Sequence, residues 1–320
     1  MSIFVQEYLS VHTAPPVADL LKQDGVLAVV GYTGDCLEPG ATGYISSGLG
    51  SLGDVGVEVI RYPFGRAERG QTERCHWSKI GDLLCIATWI SPEECNQIES
   101  ATEQAYDRAL GVAERLGFAF PFRIWNLIPQ INQGTGDQEV YKQFCSGRMR
   151  AFTRHGMEQA QYPAASAVGH HAEGAVIYLL AAPKPSRNLE NPLQMPAYTY
   201  PREYGPCSPS FARATRIELG GADFLFISGT ASILGHSTQA PGDIASQLEV
   251  TQANIAQLVK QAGGSITKLS ALRVYLRHAE HLELARTMLQ RTYPAEHLNF
   301  VLADICRQPL LVEIEALVEL

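Results

Sequence analysis

The sequence predicts an α/β (α+β) fold made of two packed halves, each a β–α–β–α–β unit, related by an internal duplication. Three observations carry that expectation. A strand-like apolar run, an amphipathic helix and a second strand occur twice in the same order. Each copy then passes through another helical segment and closes on an apolar strand. The chain's 320 residues, 46% of them hydrophobic, supply core material for two domains of ordinary size.

In the first copy, residues 82–90 (DLLCIATWI) form the opening strand. Ser91 followed by Glu94 fits a capping box at the start of a helix. Ile98, Ala101, Ala105, Ala109, Val112 and Leu116, spaced by three or four, make its buried stripe. Gly117 ends that helix, and residues 122–131 form the next strand. A helical segment over 141–152 precedes the closing strand at 175–182, AVIYLLAA.

In the second copy, residues 223–230 (DFLFISGT) open and the Gly-Asp pair at 242–243 introduces the helix. Ile244, Leu248, Ile255, Leu258 and Ala262 form its stripe, and Gly263-Gly264 stops it. Residues 268–277 (KLSALRVYLR) are the next strand, 282–293 a helical segment, and 310–317 (LLVEIEAL) the closing strand. The expected organisation is an N-terminal half over 1–183, a packed Pro-rich connector over 184–213, and a C-terminal half over 214–320. Seven prolines from Pro183 to Pro209, six of them inside the connector, keep it out of helices and central strands. The Gly-rich stretch at 31–53 reads as strands joined by turns.

Composition excludes several classes. With 25 Lys+Arg against 33 Asp+Glu the net charge is −8, the wrong sign for a nucleic-acid footprint. No apolar run approaches the ~20 residues of a membrane helix. The N-terminus lacks a basic region followed by an apolar one, so a cytoplasmic location is expected. Seven cysteines scattered from Cys36 to Cys306 make no disulfide framework. No GxGxxG opens a helix, and GxxxxGK[ST] and GxSxG are absent. His170-His171 and the His278/His281 pair have no partners at metal-ligand spacing. No metal or cofactor is expected.

Reading one copy against the other locates the candidate chemistry. Sliding the closing strands together sets Tyr178 opposite Glu313 and Leu180 opposite Glu315. Glu313 and Glu315 then share one strand face, flanked by apolar neighbours. Either they line a wet edge, or one is a carboxyl held in a partly dry cleft, its pKa raised so that it donates a proton. Cys306 lies seven residues before Glu313; taken alone, it is a small buried hydrophobe. Tyr141 and Arg148 are seven apart on one helix face, and Tyr198, Tyr200, Arg202 and Tyr204 alternate in AYTYPREYGP. Two arginines among tyrosines suit a small dianionic ligand, the alternative being surface ion pairing.

The stretches ISGTASI at 227–233, PGDIASQ with its following Asn254-Ile255, LRVYLR at 272–277 and VEIEALV at 312–318 resemble the RidA/YjgF superfamily. That resemblance implies ligand sites between subunits of a trimer. HLNFVLAD at 297–304 lacks the arginine of the family's deaminases, so imine deamination is not expected. The duplication within one chain points to a pseudo-oligomer, either a monomer with such a core or a homotrimer.

More of the chain resembles the chorismatase family. RIWNLIPQIN at 123–132, YKQFCSGRMRAF at 141–152, the long stretch from Glu190 to Thr215, ISGTASILGH at 227–236 and ADICRQPLLVEIE at 303–315 carry it. The resemblance implies cleavage of chorismate to pyruvate and a ring product, with Glu313 as the catalytic glutamate. It further implies that Tyr141, Arg148, Tyr200 and Arg202 line the substrate pocket. It makes Cys306 a product determinant favouring 3-hydroxybenzoate, and sets Ala231 near a second such position. Hydrolysis to a dihydroxycyclohexadiene carboxylate, 4-hydroxybenzoate formation and a non-catalytic RidA-like binder are the alternatives.

Overall fold

A computed structural model describes residues 3–34, 40–72 and 74–320; Cys36 and part of the Gly-rich stretch lie outside the described residues. The N-terminal segment contributes β1 (Val5–Ser10), α1 (Val17–Leu20), β2 (Val26–Gly31), β3 (Tyr44–Ser46), β4 (Gly50–Ser51) and β5 (Val55–Arg61). The first repeat runs β6 (Glu68–Thr72), β7 (Cys75–Ile80), β8 (Leu83–Ile90), α2 (Pro92–Cys95), α3 (Ile98–Arg115), β9 (Phe120–Pro129), α4 (Val140–Arg154), β10 (Ala164–His170) and β11 (Ala175–Ala182). The rest comprises β12 (Arg187–Leu189), β13 (Ala214–Leu219), β14 (Ala222–Ala231), β15 (Ile233–Leu234), β16 (Ser237–Thr238), α5 (Ile244–Gln261), β17 (Leu269–Leu276), α6 (Leu282–Leu289), β18 (Leu298–Leu302), β19 (Asp304–Ile305) and β20 (Val312–Glu319).

The duplication is written in the strand order. One seven-stranded sheet runs β19-β10-β9-β11-β8-β7-β6, and the other, read from its far edge, runs β4-β18-β17-β20-β14-β13-β12. Position by position the pairings match, including the one parallel pair between the repeats' own strands in each sheet, β9 with β10 and β17 with β18. Register matches as well. Tyr178 pairs with Trp125 and Leu180 with Arg123, while Glu313 pairs with Tyr275 and Glu315 with Arg273. The halves also exchange edges: β19 pairs with β10, and β4 from the N-terminal segment pairs with β18.

Each repeat is larger than the expected β–α–β–α–β. A strand precedes the opening one (β7, β13), and a strand parallel to the middle one follows the second helix (β10, β18). The Ser91/Glu94 capping box is present but heads the four-residue α2, and α3 starts afresh after Gln97. Gly117, at φ +84°, closes α3 in the left-handed conformation that an L side chain resists.

Helices α3 and α4 cover one face of the first sheet, and α5 and α6 one face of the second, each over its own apolar layer. The opposite faces meet each other and the four-stranded sheet β1-β5-β2-β3 in a shared core. Strands β8 and β11 are buried on both faces, which explains their unbroken apolar runs.

Candidate active site

Strand β20 lies between β14 and β17, so it is not an edge. Glu313 is 4% exposed and Glu315 5%, which removes the wet-edge reading. The two carboxyls share a face but not an environment. Glu315 accepts from Arg123 (2.5 Å), Ser166 (2.6 Å), Trp125 Nε1 (2.7 Å) and Tyr275 (2.7 Å), with Arg273 at 3.2 Å. Burial alone would raise its pKa, but the Arg273 and Arg123 guanidiniums and these hydrogen bonds hold it below the usual carboxylate range.

Glu313 has no hydrogen-bond partner among the described residues. Burial, and then the charge on Glu315, push it up to about 8, against the pull of Arg123 and Arg213. It is therefore a neutral carboxylic acid at pH 7, with a proton to give. Its seat depends on Gly229, where any Cβ would overlap the Glu313 carboxyl. A bulge in β14 makes that approach: Ser228 and Gly229 both stand opposite Glu315, between the Ile227–Ala316 and Thr230–Ile314 pairs. The Gly229 N–H donates to Ser166 Oγ at 3.0 Å, tying the bulge to the first sheet.

Glu313 forms part of the wall of a cavity of about 480 Å³, lined by β14 and β20, the segment from Asn132 to Lys142, the connector and the loop from Cys306 to Leu310. Tyr141, Tyr200, Ala231 and Cys306 line the same cavity, so five of the seven residues that the resemblance implies converge there. Burial, then the neighbouring Glu313, raise the Cys306 thiol to about 12, which keeps it protonated. Burial likewise holds the Tyr141 phenol neutral. Arg148 lines a small recess directly behind, shared with Tyr141, Ser166, Gly229, Cys306 and Glu313. The structure does not bring Arg202 to the cavity. Its side chain is 66% exposed and forms a two-pronged ion pair with Asp137 at 2.9 and 2.6 Å. On the extended Tyr-Pro-Arg segment, Tyr200 turns inward and Arg202 outward.

Two cations that sequence reasoning missed take its place. Arg213 donates to Met195 O (2.8 Å) and the Tyr200 hydroxyl (2.7 Å), and its buried Nε–H has no partner. Arg307 lies over the Tyr204 ring at 4.0 Å and donates to His236 O at 2.8 Å. Among the described residues neither ion-pairs with a carboxylate, and both line the cavity. The available signals were position: Arg213 ends the Pro-rich connector and Arg307 follows Cys306. Among the described residues, no group of three or more His, Cys, Asp or Glu is placed to hold a metal ion.

Fold and cavity define a duplicated mixed α/β protein whose site presents a neutral buried carboxylic acid to unpaired guanidiniums. A family model described as chorismatase FkbO/Hyg5-like, N-terminal, matches residues 61–181. The 3-hydroxybenzoate synthase of Streptomyces hygroscopicus is 33% identical over 316 residues, spanning 92% of this chain and 91% of that protein. A chorismatase of Streptomyces rapamycinicus is 35% identical, over 79% of this chain and 80% of its own length. A chorismatase crystal structure superposes with a TM-score of 0.87 at 29% identity, covering 99% of each chain. The chain belongs to the chorismatase family.

Proposed function

We propose that this protein is an enzyme that converts chorismate to pyruvate and 3-hydroxybenzoate, with Glu313 as the general acid. The observation that carries the reading is the neutral Glu313 carboxyl on a cavity wall that also bears Arg213 and Arg307, neither of which ion-pairs with a carboxylate among the described residues. Its relatives' names, 3-hydroxybenzoate synthase and chorismatase, supply the substrate and product.

Chorismate carries two carboxylates and an enolpyruvyl ether on a cyclohexadiene ring. Arg213 and Arg307 take the carboxylates, and Arg148 adds a third positive charge from the recess. The site's two ends thus fix the vinyl group against Glu313. Proton transfer from Glu313 to the enolpyruvyl methylene leaves an oxocarbenium-like carbon, which lowers the barrier to breaking the ether. Water adds to that carbon, and the hemiketal collapses to pyruvate while the ring keeps its C3 oxygen. Loss of the C4 hydroxyl as water, with the C3 proton, aromatises the ring to 3-hydroxybenzoate, so the water taken up is returned and none is consumed net. Cys306, as a neutral thiol near the ring, directs that path in preference to the diol, and Ala231 leaves the ring its space. A cytoplasmic location, and a single chain whose repeats replace separate subunits, belong to the same proposal.

Incubating the purified protein with chorismate and separating the ring products by chromatography tests the reading. Pyruvate and 3-hydroxybenzoate in equal amounts are expected. A predominantly non-aromatic diol would overturn the product assignment, and no pyruvate at all would favour a non-catalytic binder.

A further inference from the structure

Arg277 directly follows β17 and does not line the cavity, and its guanidinium is saturated from one small region. Nε donates to Leu310 O at 2.8 Å. Nη2 donates to Ile305 O (2.8 Å) and Arg307 O (3.1 Å), and Nη1 to Asp304 Oδ1 (2.6 Å) and Asn132 Oδ1 (3.2 Å). Five N–H groups thus meet five oxygens, four of them on residues 304–310. That loop carries both Cys306 and Arg307 into the cavity, while Asn132 enters from the first repeat. The Arg277 backbone N–H also holds Leu311 O, two residues before Glu313.

We propose that Arg277 is a positioning residue that sets the product outcome by fixing the 304–310 loop relative to Glu313; this rests on the reaction proposed above. Glu313 is held by the sheet and acts on the enolpyruvyl end, whereas Cys306 and Arg307 are held by the loop and act on the ring and a carboxylate. The carbonyls at 305, 307 and 310 converge on one point, and only a planar fork with five donors satisfies them together with two side-chain oxygens. An ammonium has three donors from a single atom, so at least two oxygens lose their partner and the loop relaxes. Displacing reacting groups by about 1 Å costs up to ~100-fold in rate. Here the loss is unequal, because the acid stays in place while the thiol and the carboxylate grip move.

Arg277→Lys, assayed with chorismate beside the wild type, reads this directly. Expected are a fall in kcat/KM of about 10- to 100-fold, a raised KM, and a product mixture shifted from 3-hydroxybenzoate toward the diol or 4-hydroxybenzoate. In Arg277→Ala, added guanidinium ion should restore part of the original ratio at concentrations that leave the wild type unchanged. Hydrogen exchange of amides 304–310 should quicken in both variants. A lowered Tm with the wild-type product ratio would make Arg277 a structural residue only and overturn the inference. Wild-type protein yielding no hydroxybenzoate would instead overturn the reaction itself, so the two failures are distinct.

Discussion

Glu313 and Glu315 are two residues apart and about equally buried, yet one is neutral and the other charged: guanidiniums and donors surround Glu315, while burial and the Glu315 charge raise Glu313. The difference fixes a pH dependence. As the proposed general acid Glu313 works protonated, and burial with the neighbouring Glu315 charge pushes its pKa up to about 8. kcat/KM should therefore be level below neutrality and fall about tenfold per unit above that pKa. Glu313→Gln should lose nearly all turnover while still binding 3-hydroxybenzoate; retained pyruvate release would move the acid role elsewhere, with Glu315 first in line. The same shift has a stability counterpart. A folded pKa above the unfolded value of 4.5 gives stability that is full below 4.5 and is lost as pH rises through about 8. Thermal melts should thus show Glu313→Gln more stable than wild type at pH 9 and similar to it near pH 5. Cys306→Ala should keep turnover but change the product ratio, since the neutral thiol neither supplies the first proton nor holds a carboxylate; an unaltered ratio would remove it from the path. At this scale the sequence revealed the odd carboxylates, because glutamate is conspicuous in an apolar strand. Which arginines face inward was not legible. That depends on how an extended Pro-rich segment rotates, and Pro201 turns Arg202 out to Asp137 while Arg213 is buried.

The bulge in β14 is where an element acquires a function. Two residues opposite one swing the Gly229 N–H toward Ser166 and clear the volume that the Glu313 carboxyl fills. Gly229→Ala should cost activity by displacing that carboxyl, and destabilise the fold by about 1–3 kcal/mol through overpacking. Kinetics with urea melts check both, and an alanine variant with full activity would mean that Glu313 does not work from this position. Long periodic elements were readable in advance: β11 has the expected limits, and α3 and α5 carry the expected stripes. Two strands that escaped notice gave a weak or a short signal. Strand β10 reads AASAVGH, mostly small residues that say little about face, and β18 is only five residues long. Both gain their identity from a parallel neighbour distant in sequence, a tertiary effect that local pattern cannot carry. The break between α2 and α3 was equally hidden, since an apolar stripe fixes a face and not a helix start.

At the scale of the whole molecule, the charges beneath the acid also join the three sheets. Glu58 on β5 is fully buried and accepts from Arg273 (2.6 Å), Tyr32 (2.6 Å) and Gln6 (2.8 Å). Arg273 on β17 reaches Tyr178 of the first sheet at 2.9 Å and Glu315 on β20, and Glu315 in turn holds Arg123 on β9. Two guanidiniums and two carboxylates therefore balance in the shared core, and each sheet contributes at least one. Nothing in the N-terminal segment's sequence pointed to this, because Glu58 sits in an ordinary alternating strand and its partner is 215 residues away. Neutralising one member leaves a buried charge uncompensated, which costs more than a lost hydrogen bond. Glu58→Gln should lower stability by about 3–5 kcal/mol. A double-mutant cycle separates the charge effect from packing. Glu58→Leu and Arg273→Leu together should cost less than the sum of the single variants, because removing both charges leaves no Glu58–Arg273 pair to break. Additive costs would show that the pair is not coupled. In that case the joining of the N-terminal sheet to the repeats would rest on the apolar layer, where Phe4 packs edge-on against Phe224 and Phe226, and on contacts such as Arg69 donating to Val26 O at 2.6 Å.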